Sequence, residues 1–270
     1  MSTTISASLV KELRDLTGAG MMDCKRALEE TDGDVEAART LLRERGMASA
    51  GKRAGRTTTE GLVGFIVEEG KGSIVGIGCE TEPVSKNDEF QEFAIQVLRA
   101  IHSDGPEVVE SFEQERVELI AKLGENIVIV GPARFEAPSE NVLAGYAHPP
   151  ANKIGVLVEL EGGSTELARF LAMHISFAAP EWATRDDVPA EVLDQERTIY
   201  FNSDEVQSKP EQAREKIVEG MLAKRFFAAT PGGVLVDQAW IHDSTKTVGQ
   251  ALSEAGASLA RFARVSVAGS

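Results

Sequence analysis

Residues 9–28 read LVKELRDLTGAGMMDCKRAL and predict two short helices joined by a glycine turn. Leu9, Leu13 and Leu16 recur at helical spacing and give the first helix an apolar face. Gly18 and Gly20 follow, and they end that helix because glycine accepts backbone angles that other residues resist. This stretch therefore begins a small helical bundle.

Two methionines, Met21 and Met22, open the predicted second helix. Methionine is flexible and polarizable, and it is common on recognition surfaces. Neighbouring side chains on a helix point about 100° apart, so burial of both is disfavoured. We expect at least one of them to be exposed, and core burial of one remains the alternative.

A third helix completes the bundle. Asp34 is its predicted N-cap, and its apolar face is Val35, Ala38, Leu41 and Leu42. We expect Gly46 to end it. Three helices in so short a stretch have no room for a substrate pocket, so residues 1–46 are interpreted as a docking domain. Residues 47–60, rich in Gly, Ala, Ser, Thr and basic residues, are interpreted as a linker.

The rest of the chain contains an internal repeat. Residues 61–80 and 141–163 each predict two strands around a turn, and each pair precedes a stretch of helical periodicity. A helix over 112–123 and a strand over 126–130 lie between them. We expect an α+β fold with two duplicated subdomains and antiparallel sheets, over 61–140 and over 141–187 with 228–270.

Residues 188–227 are rich in charge and have sparse apolar positions at helical spacing. They predict an antiparallel, coiled-coil-like hairpin that projects from the second subdomain, with ordinary surface helices as the alternative. After it we expect a strand over 234–241, a helix from Val248 capped by Thr247, and a strand over 260–267. These late strands are expected to return to the second sheet.

Composition limits the function. The 270 residues carry a net charge of −15, with 10 basic and 9 acidic residues in 1–56 and 18 against 34 in the remainder. Such acidity argues against nucleic acid as the main partner. No run of 18 apolar residues and no secretory signal is present in the sequence. The distant Cys24 and Cys79 favour a reducing compartment, so a cytoplasmic location is expected.

The sequence lacks the motifs of common enzyme chemistry. It has no phosphate-binding GxxxxGK[ST] loop, no HExxH and no nucleophile elbow. We therefore expect no cofactor, no metal site and no catalytic residues. His174 is expected to be a hydrogen-bonded core histidine. His148, before Pro149 and Pro150, is either turn filler or an outward-facing contact residue.

Residues 79–86, CETEPVSK, join a strand to a helix. Pro83 disfavours helical angles at Glu82, so we expect Thr81, Glu82, Pro83 and Val84 to form a stiff protruding loop. Ser85 or Asn87 should cap the next helix. An exposed acid beside a rigid ring suits a wedge pressed against another protein, and a plain strand-to-helix turn is the alternative.

The segments LRDLTGAGMMDCKRAL (13–28) and CETEPVSKN (79–87) closely resemble the two signature segments of the bacterial elongation factor Ts family. The resemblance continues through residues 124–127, 146–148, 153–160, 172–182 and 246–252, and so covers the chain in family order. It implies a ubiquitin-associated-like three-helix domain, a core of two related α+β subdomains and a protruding coiled-coil hairpin.

The resemblance also implies a function. Members are nucleotide exchange factors that bind the GDP form of elongation factor Tu and release its GDP. Met21, Met22 and Lys11 would face the GTPase domain of that partner, and the 81–84 tip would press beside its magnesium and phosphate site. Leu123 and Gly124 would support the tip, and His148 would grip the third domain. Dimerisation through the helical hairpin is a further possibility.

Two departures from the family pattern matter. The family tip is usually Thr-Asp-Phe-Val, whereas this chain has Thr81, Glu82, Pro83 and Val84, so the aromatic wedge is absent. Many members also carry a further helix after the last strand. This sequence ends at Ser270, so we expect the contacts of that helix to be missing.

Two other classes of function compete. An enzyme would need a cleft with converging titratable groups. A non-catalytic adaptor or RNA-binding module of the translation apparatus would draw on the basic residues Lys52, Arg53 and Arg56. Neither class accounts for both the paired methionines and the stiff tip.

Overall fold

The structure is a computed structural model that describes residues 5–268, with the side chain of Ser49 outside that description. Residues 1–4 and 269–270, which the predicted domain boundaries include, lie outside the described residues. The predicted α+β class is confirmed: helices combine with two three-stranded antiparallel sheets and one two-stranded sheet.

The N-terminal bundle consists of α1 (Ala7–Thr17), α2 (Met21–Glu30) and α3 (Val35–Arg53). The Ser6 hydroxyl accepts a hydrogen bond from the Leu9 N–H, and Gly18 ends α1 in the left-handed region at φ 67°. Asp34 caps α3 as predicted. The small core is Val10, Leu13, Cys24, Ala27, Leu28 and Ala38.

The predicted end of the third helix is wrong. Gly46 lies inside α3, and the first seven residues of the predicted 47–60 linker are helical. Packing explains the difference, because a Cβ placed on Gly46 would lie only 2.7 Å from the Cβ of Ala121. Glycine here allows two helices to approach closely and does not stop one. The connection to the first strand is therefore shorter than predicted.

The first sheet has the order β1-β2-β3, with β1 (Glu60–Glu68), β2 (Lys71–Cys79) and β3 (Val128–Glu136) all antiparallel. Between β2 and β3 the chain forms α4 (Glu82–Ser85), α5 (Asp88–Asp104), a 3-10 segment (Pro106–Phe112) and α6 (Glu113–Leu123). Asn87 caps α5 by accepting hydrogen bonds from the Glu89 and Phe90 N–H groups, as predicted.

The second unit repeats this plan, as the internal repeat predicted. Its sheet has the order β4-β5-β8, from β4 (Asn141–Ala147), β5 (Ile154–Glu161) and β8 (Ser258–Ser266). The helix after its hairpin is α7 (Thr165–Ala178), which the Ser164 hydroxyl caps.

The two sheets pack face to face, with helices on both outer faces. Val63, Ile74, Leu157 and Val265 form the layer between the sheets. The opposite face of the first sheet packs on α5 and α6, and that of the second sheet packs on α7. Gly155 permits the close approach, because a Cβ there would lie 2.5 Å from the Val63 Cγ1 atom.

A helical hairpin follows α7, as predicted. It consists of α8 (Ala190–Phe201), α9 (Asp204–Gln207) and α10 (Glu211–Met221), and a π-helical segment (Leu222–Phe227) continues α10. These elements pack mainly on one another around Val188, Val206, Val218, Leu222 and Phe227. The hairpin thus has a small core of its own, which is consistent with an appendage on the second unit.

The last part of the chain is only partly as predicted. Thr247 caps α11 (Val248–Glu254), and Gln250 completes a capping box. The last strand, β8, pairs with β5. The predicted 234–241 strand is wrong: it is a 3-10 turn (Leu235–Asp237) and a two-residue strand β6 (Ala239–Trp240), which pairs with β7 (Asp243–Thr247) in a separate sheet. Burial of the Trp240 side chain against the α7 cluster directs this segment away from the main sheet.

Candidate partner-binding surface

The turn between α1 and α2 exposes both methionines. The Met21 and Met22 side chains are 46% and 63% exposed, while Cys24 below them is fully buried. The Cys24 thiol donates a weak hydrogen bond to the Ala19 carbonyl at 3.6 Å, and burial raises its pKa. The turn therefore rests on a buried thiol and presents two large, flexible apolar side chains to solvent.

Two other residues of α1 bear on this surface. Lys11 is exposed, as a partner-binding residue requires. Leu16, which the periodicity placed on the apolar face, is 57% exposed, so that prediction is wrong. Val10 and Leu13 occupy the buried face, whereas Leu16 lines a cleft between the bundle and α6.

The turn that leads into the two methionines, residues 18–22, is called the methionine turn. It contacts the end of α6 through Gly18 and Lys122. A Cβ placed on Gly18 would lie 2.2 Å from the Lys122 Cε, so a larger residue could not occupy this position without displacing the lysine. The Lys122 ammonium in turn lies 2.6 Å from a carboxylate oxygen of Glu89, in the first turn of α5. Leu123 and Gly124 follow directly, and Gly124 ends α6 at φ 80°.

The predicted stiff loop is instead a short helix. Glu82 and Pro83 begin α4, and the loop prediction is wrong because the first turn of a helix does not need the N–H that proline lacks. The tip is exposed as expected: Thr81, Glu82 and Pro83 face solvent, whereas Val84 is half-buried against the core of the first unit. The outward residues are thus held on a rigid turn.

Glu82 forms an ion pair with Lys86 one turn later, at 2.6 Å. The hydrogen bond and the charge of Lys86 lower the pKa of the Glu82 carboxyl. Both side chains are exposed, so solvent screens the pair and its contribution to stability is small. The carboxylate therefore remains charged well below neutral pH and is available to a partner.

Glu125 ties the α6–β3 connection to the base of the tip. One carboxylate oxygen accepts hydrogen bonds from the Glu80 N–H at 3.1 Å and the Thr81 N–H at 2.9 Å. The other accepts from the Thr81 hydroxyl at 2.5 Å. In return, the Glu80 carboxylate accepts from the Asn126 N–H at 2.7 Å. The two segments therefore hold each other reciprocally.

Cys79 lies below the same base. Its fully buried thiol donates to the Thr81 carbonyl at 3.3 Å, and burial, together with the nearby Glu125 charge, raises its pKa to about 12. Such a thiol is inert at neutral pH. Cys79 is therefore a small buried residue.

His148 lies apart, at the end of β4 in the second unit. It is exposed, and its Nδ1 atom lies 2.9 Å from the Tyr146 hydroxyl. The His148 carbonyl accepts from the Asn152 N–H, which closes the turn. The structure thus places Leu123, Gly124 and the tip on the first unit and His148 on the second. The methionines lie on the bundle, whose Gly18 contacts Lys122 at the end of α6.

His174 is a core histidine, as predicted. It is fully buried, and its Nε2 atom lies 3.0 Å from the Gln238 Oε1 atom. The Gln238 amide donates to the Ala229 and Gly232 carbonyls, so its oxygen is the acceptor and His174 carries its proton on Nε2. Burial lowers the pKa of this imidazole.

A cleft of about 1380 Å³ is lined by residues of the helical bundle, of the 3-10 segment and of α6. Among the charged groups that line it, Asp23 pairs with Arg26 and Glu30 pairs with Arg45. Among residues 5–268, no group of three His, Cys, Asp or Glu side chains could hold a metal ion. In the same range, no helix is both long and apolar enough to cross a bilayer.

Sequence reasoning missed the residues that organise this surface: Glu80, Glu89, Lys122, Glu125 and Asn126. The motif at 124–127 stood out in the sequence, but its partner at 80–81 lies 45 residues away along the chain. Helical or strand periodicity carries no information about such a contact.

Known proteins match the chain closely. The family model described as "Elongation factor TS" matches residues 80–269. Elongation factor Ts of Alkalilimnicola ehrlichii is 42% identical over 275 residues, which cover 97% of this chain and 92% of that protein. The factors of Thioalkalivibrio sulfidiphilus (42% over 276 residues, 98% and 92% covered) and Escherichia coli O139:H28 (40% over 267 residues, 97% and 91%) are similar.

The match of the amino-acid sequence over nearly its whole length to these factors defines a translation elongation factor. The chain belongs to the elongation factor Ts family.

Proposed function

We propose that this protein is a guanine-nucleotide exchange factor for elongation factor Tu. It binds the GDP form of that GTPase, perturbs its magnesium and phosphate site, and promotes GDP release so that GTP can bind. One observation carries the proposal: the short segment 122–125 joins the exposed methionine turn to the exposed tip. The docking surface at the methionines and the tip that intrudes on the GTPase are thus connected through one short segment.

The proposed contact residues have different roles. Lys11, Met21 and Met22 dock on the GTPase domain, where flexible apolar side chains adapt to the partner. The 81–84 tip presses beside the magnesium and phosphate site, with Leu123 and Gly124 supporting it from α6. His148 and the second unit hold the third domain of the partner.

The tip carries charge and rigidity where the family carries an aromatic ring. Glu82 points a carboxylate outward beside the Pro83 ring, and both are exposed. A carboxylate brought close to bound GDP repels the phosphates and competes for their magnesium ion. Electrostatic repulsion between Glu82 and the bound GDP therefore replaces part of the effect of the missing aromatic ring.

Exchange of this kind is a coupling between two ligands of the GTPase. The factor and GDP weaken each other's binding by the same ratio. Each tenfold loss of GDP affinity requires about 1.4 kcal/mol, so a thousandfold loss requires about 4 kcal/mol. A protein interface of ordinary size supplies that energy if it favours the open nucleotide site. No bond is made or broken, so the protein is not an enzyme in the usual sense and needs no cofactor.

The charge and the exposed apolar side chains of the surface support the remaining proposals about partners. A net charge of −15 disfavours strong nucleic-acid binding, and Arg56 of the basic segment is engaged with Glu80 at 3.4 Å. Ile199 on α8 is 60% exposed and offers apolar surface for dimerisation through the hairpin. We place this activity in the cytoplasm, and we infer no membrane partner and no stable nucleotide binding by the factor itself.

Stopped-flow fluorescence tests the proposal. Elongation factor Tu loaded with fluorescent GDP is mixed with excess unlabelled GDP and increasing amounts of the protein. We expect the release rate to rise with concentration and then saturate. Release at the spontaneous rate at every concentration would refute the function. Light scattering of the protein alone separately tests for a dimer.

A further inference from the structure

The base of the tip is the meeting point of three segments that are distant in sequence. Glu80 and Thr81 follow β2, Glu125 and Asn126 follow α6, and Arg56 belongs to the connection from the bundle. The Asn126 side-chain amide donates to the Arg56 carbonyl at 2.8 Å, and the Asn126 side chain is almost fully buried. The connection from the docking bundle is thus fastened at the same place as the tip.

Within this junction, Glu125 makes the contacts that orient the tip. Its carboxylate accepts from two consecutive backbone N–H groups, at Glu80 and Thr81, and from the Thr81 hydroxyl. Thr81 is the N-cap residue of α4, and its own side chain makes no capping hydrogen bond. Glu125 therefore holds, from another segment, the backbone of the N-cap residue and of the residue before it.

We propose that Glu125 is the positioning residue of the exchange element: it holds the Thr81–Val84 tip at the angle needed to deform the nucleotide site of the GTPase. This inference rests on the proposed function and deepens it. Glu125 is half-buried behind the tip, so it acts through Thr81 and not by touching the partner. Its loss should leave docking intact and impair the step that follows docking.

Three variants and one control test this role. Glu125→Ala removes all three acceptor contacts. Glu125→Gln keeps one oxygen for the backbone N–H groups, and its amide can donate to the Thr81 hydroxyl oxygen. Thr81→Val removes only the hydroxyl contact. Glu115→Ala, at an exposed position on α6, removes the same charge without touching the tip.

The experiment measures fluorescent GDP release from elongation factor Tu over a range of factor concentrations. The maximal rate and the half-saturating concentration are obtained separately, because they report the step after docking and docking itself. We expect Glu125→Ala to lower the maximal rate of GDP release about tenfold or more, because the variant loses hydrogen bonds to a charged group. The half-saturating concentration should change little. Thr81→Val and Glu125→Gln should each lose less than Glu125→Ala, and Glu115→Ala should stay close to the unmodified protein.

Hydrogen exchange gives a readout that does not depend on activity. In Glu125→Ala the amides of residues 80–86 should exchange faster, while those of α5 keep their protection. A wild-type maximal rate in Glu125→Ala, or equal losses in Glu125→Gln and Glu125→Ala, would overturn the role. If Glu125→Ala does not fold, an undiminished maximal rate in Thr81→Val does the same. Failure of the unmodified protein to accelerate release would refute the proposed function instead.

Discussion

Gly46 in α3 lies directly against Ala121 in α6, so that a Cβ on the glycine would be 2.7 Å from the alanine Cβ. Two carbon atoms cannot remain at that distance, so the glycine sets how closely the docking bundle sits on the first unit. Because α6 leads into Gly124 and Glu125, this contact also links the docking bundle to the helix that precedes the base of the tip.

We predict that Gly46→Ala weakens the packing of the bundle on α6. Overpacking costs about 1–3 kcal/mol, which exceeds the gain of up to about 1 kcal/mol from replacing glycine within a helix. Urea unfolding should therefore show a less stable protein. Ala121→Gly in the same chain removes the clash, so a double-mutant cycle should give a favourable coupling between the two changes. Additive effects would contradict the close contact.

We predict that Met21→Ala with Met22→Ala weakens docking. Both side chains are exposed, so stability should change little, whereas the half-saturating concentration in the exchange assay should rise at least about tenfold, equivalent to 1.4 kcal/mol of binding energy. The maximal rate should be retained. Met47→Ala is the matched control, since Met47 is an equally exposed methionine of the same bundle. Unchanged exchange kinetics in the double variant would remove the docking role.

We predict that Glu82→Ala and Glu82→Gln both slow the release of fluorescent GDP, because both lose the charge at the tip. Lys86→Ala breaks the ion pair but leaves the carboxylate, so it should release GDP at close to the unmodified rate. The lowered pKa of Glu82 keeps it ionised from mildly acidic to alkaline pH. A normal rate in Glu82→Ala would show that the tip works without its charge.

We predict that the buried His174 makes stability depend on pH. Burial lowers its native pKa below 6.5, so the unfolded chain binds a proton more readily than the native protein does. The stabilisation that comes from keeping His174 neutral is complete above pH 6.5. It is lost as the pH falls from 6.5 through the lower pKa that His174 has in the native protein. The free energy of unfolding should fall by at most about 1.4 kcal/mol per pH unit in that window from this group.

Urea unfolding of the protein and of His174→Gln at pH 7.5 and 5.0 checks this expectation. The variant lacks the titrating ring, so its stability should fall less over the same interval. All other groups titrate in both proteins and cancel in the comparison. Parallel losses of stability would show that His174 is protonated as easily in the native state as in the unfolded chain.

Local patterns predicted most of the elements correctly. The apolar spacing from Phe90 to Ile101 marks the buried face of α5, and Asn87 and Thr247 cap the helices that follow them. The internal repeat of strands and helix also appears as two similar units. These features depend on residues a few positions apart, whose preferences act before any distant part of the chain is in place.

At two other positions, contacts in the folded protein gave a result different from the one that the local sequence pattern predicts. Glycine usually ends a helix, yet Gly46 continues α3 because Ala121 requires a residue without a side chain there. Proline usually disfavours a helical residue before it, yet Glu82 and Pro83 begin α4, where the N–H that proline lacks is not needed and Glu125 anchors the preceding backbone. In both cases a segment that the local pattern does not include contacts the position.

The amino-acid sequence by itself determined most of the helical and strand segments, the repeated units, the family and the identity of the methionines and the tip residues. Only the tertiary structure decided that the end of α6 joins those two exposed regions, through Lys122 on one side and Glu125 on the other. The physical reason is range: side-chain propensity acts over a few residues, whereas hydrogen bonds between residues 45 positions apart exist only after the chain has folded.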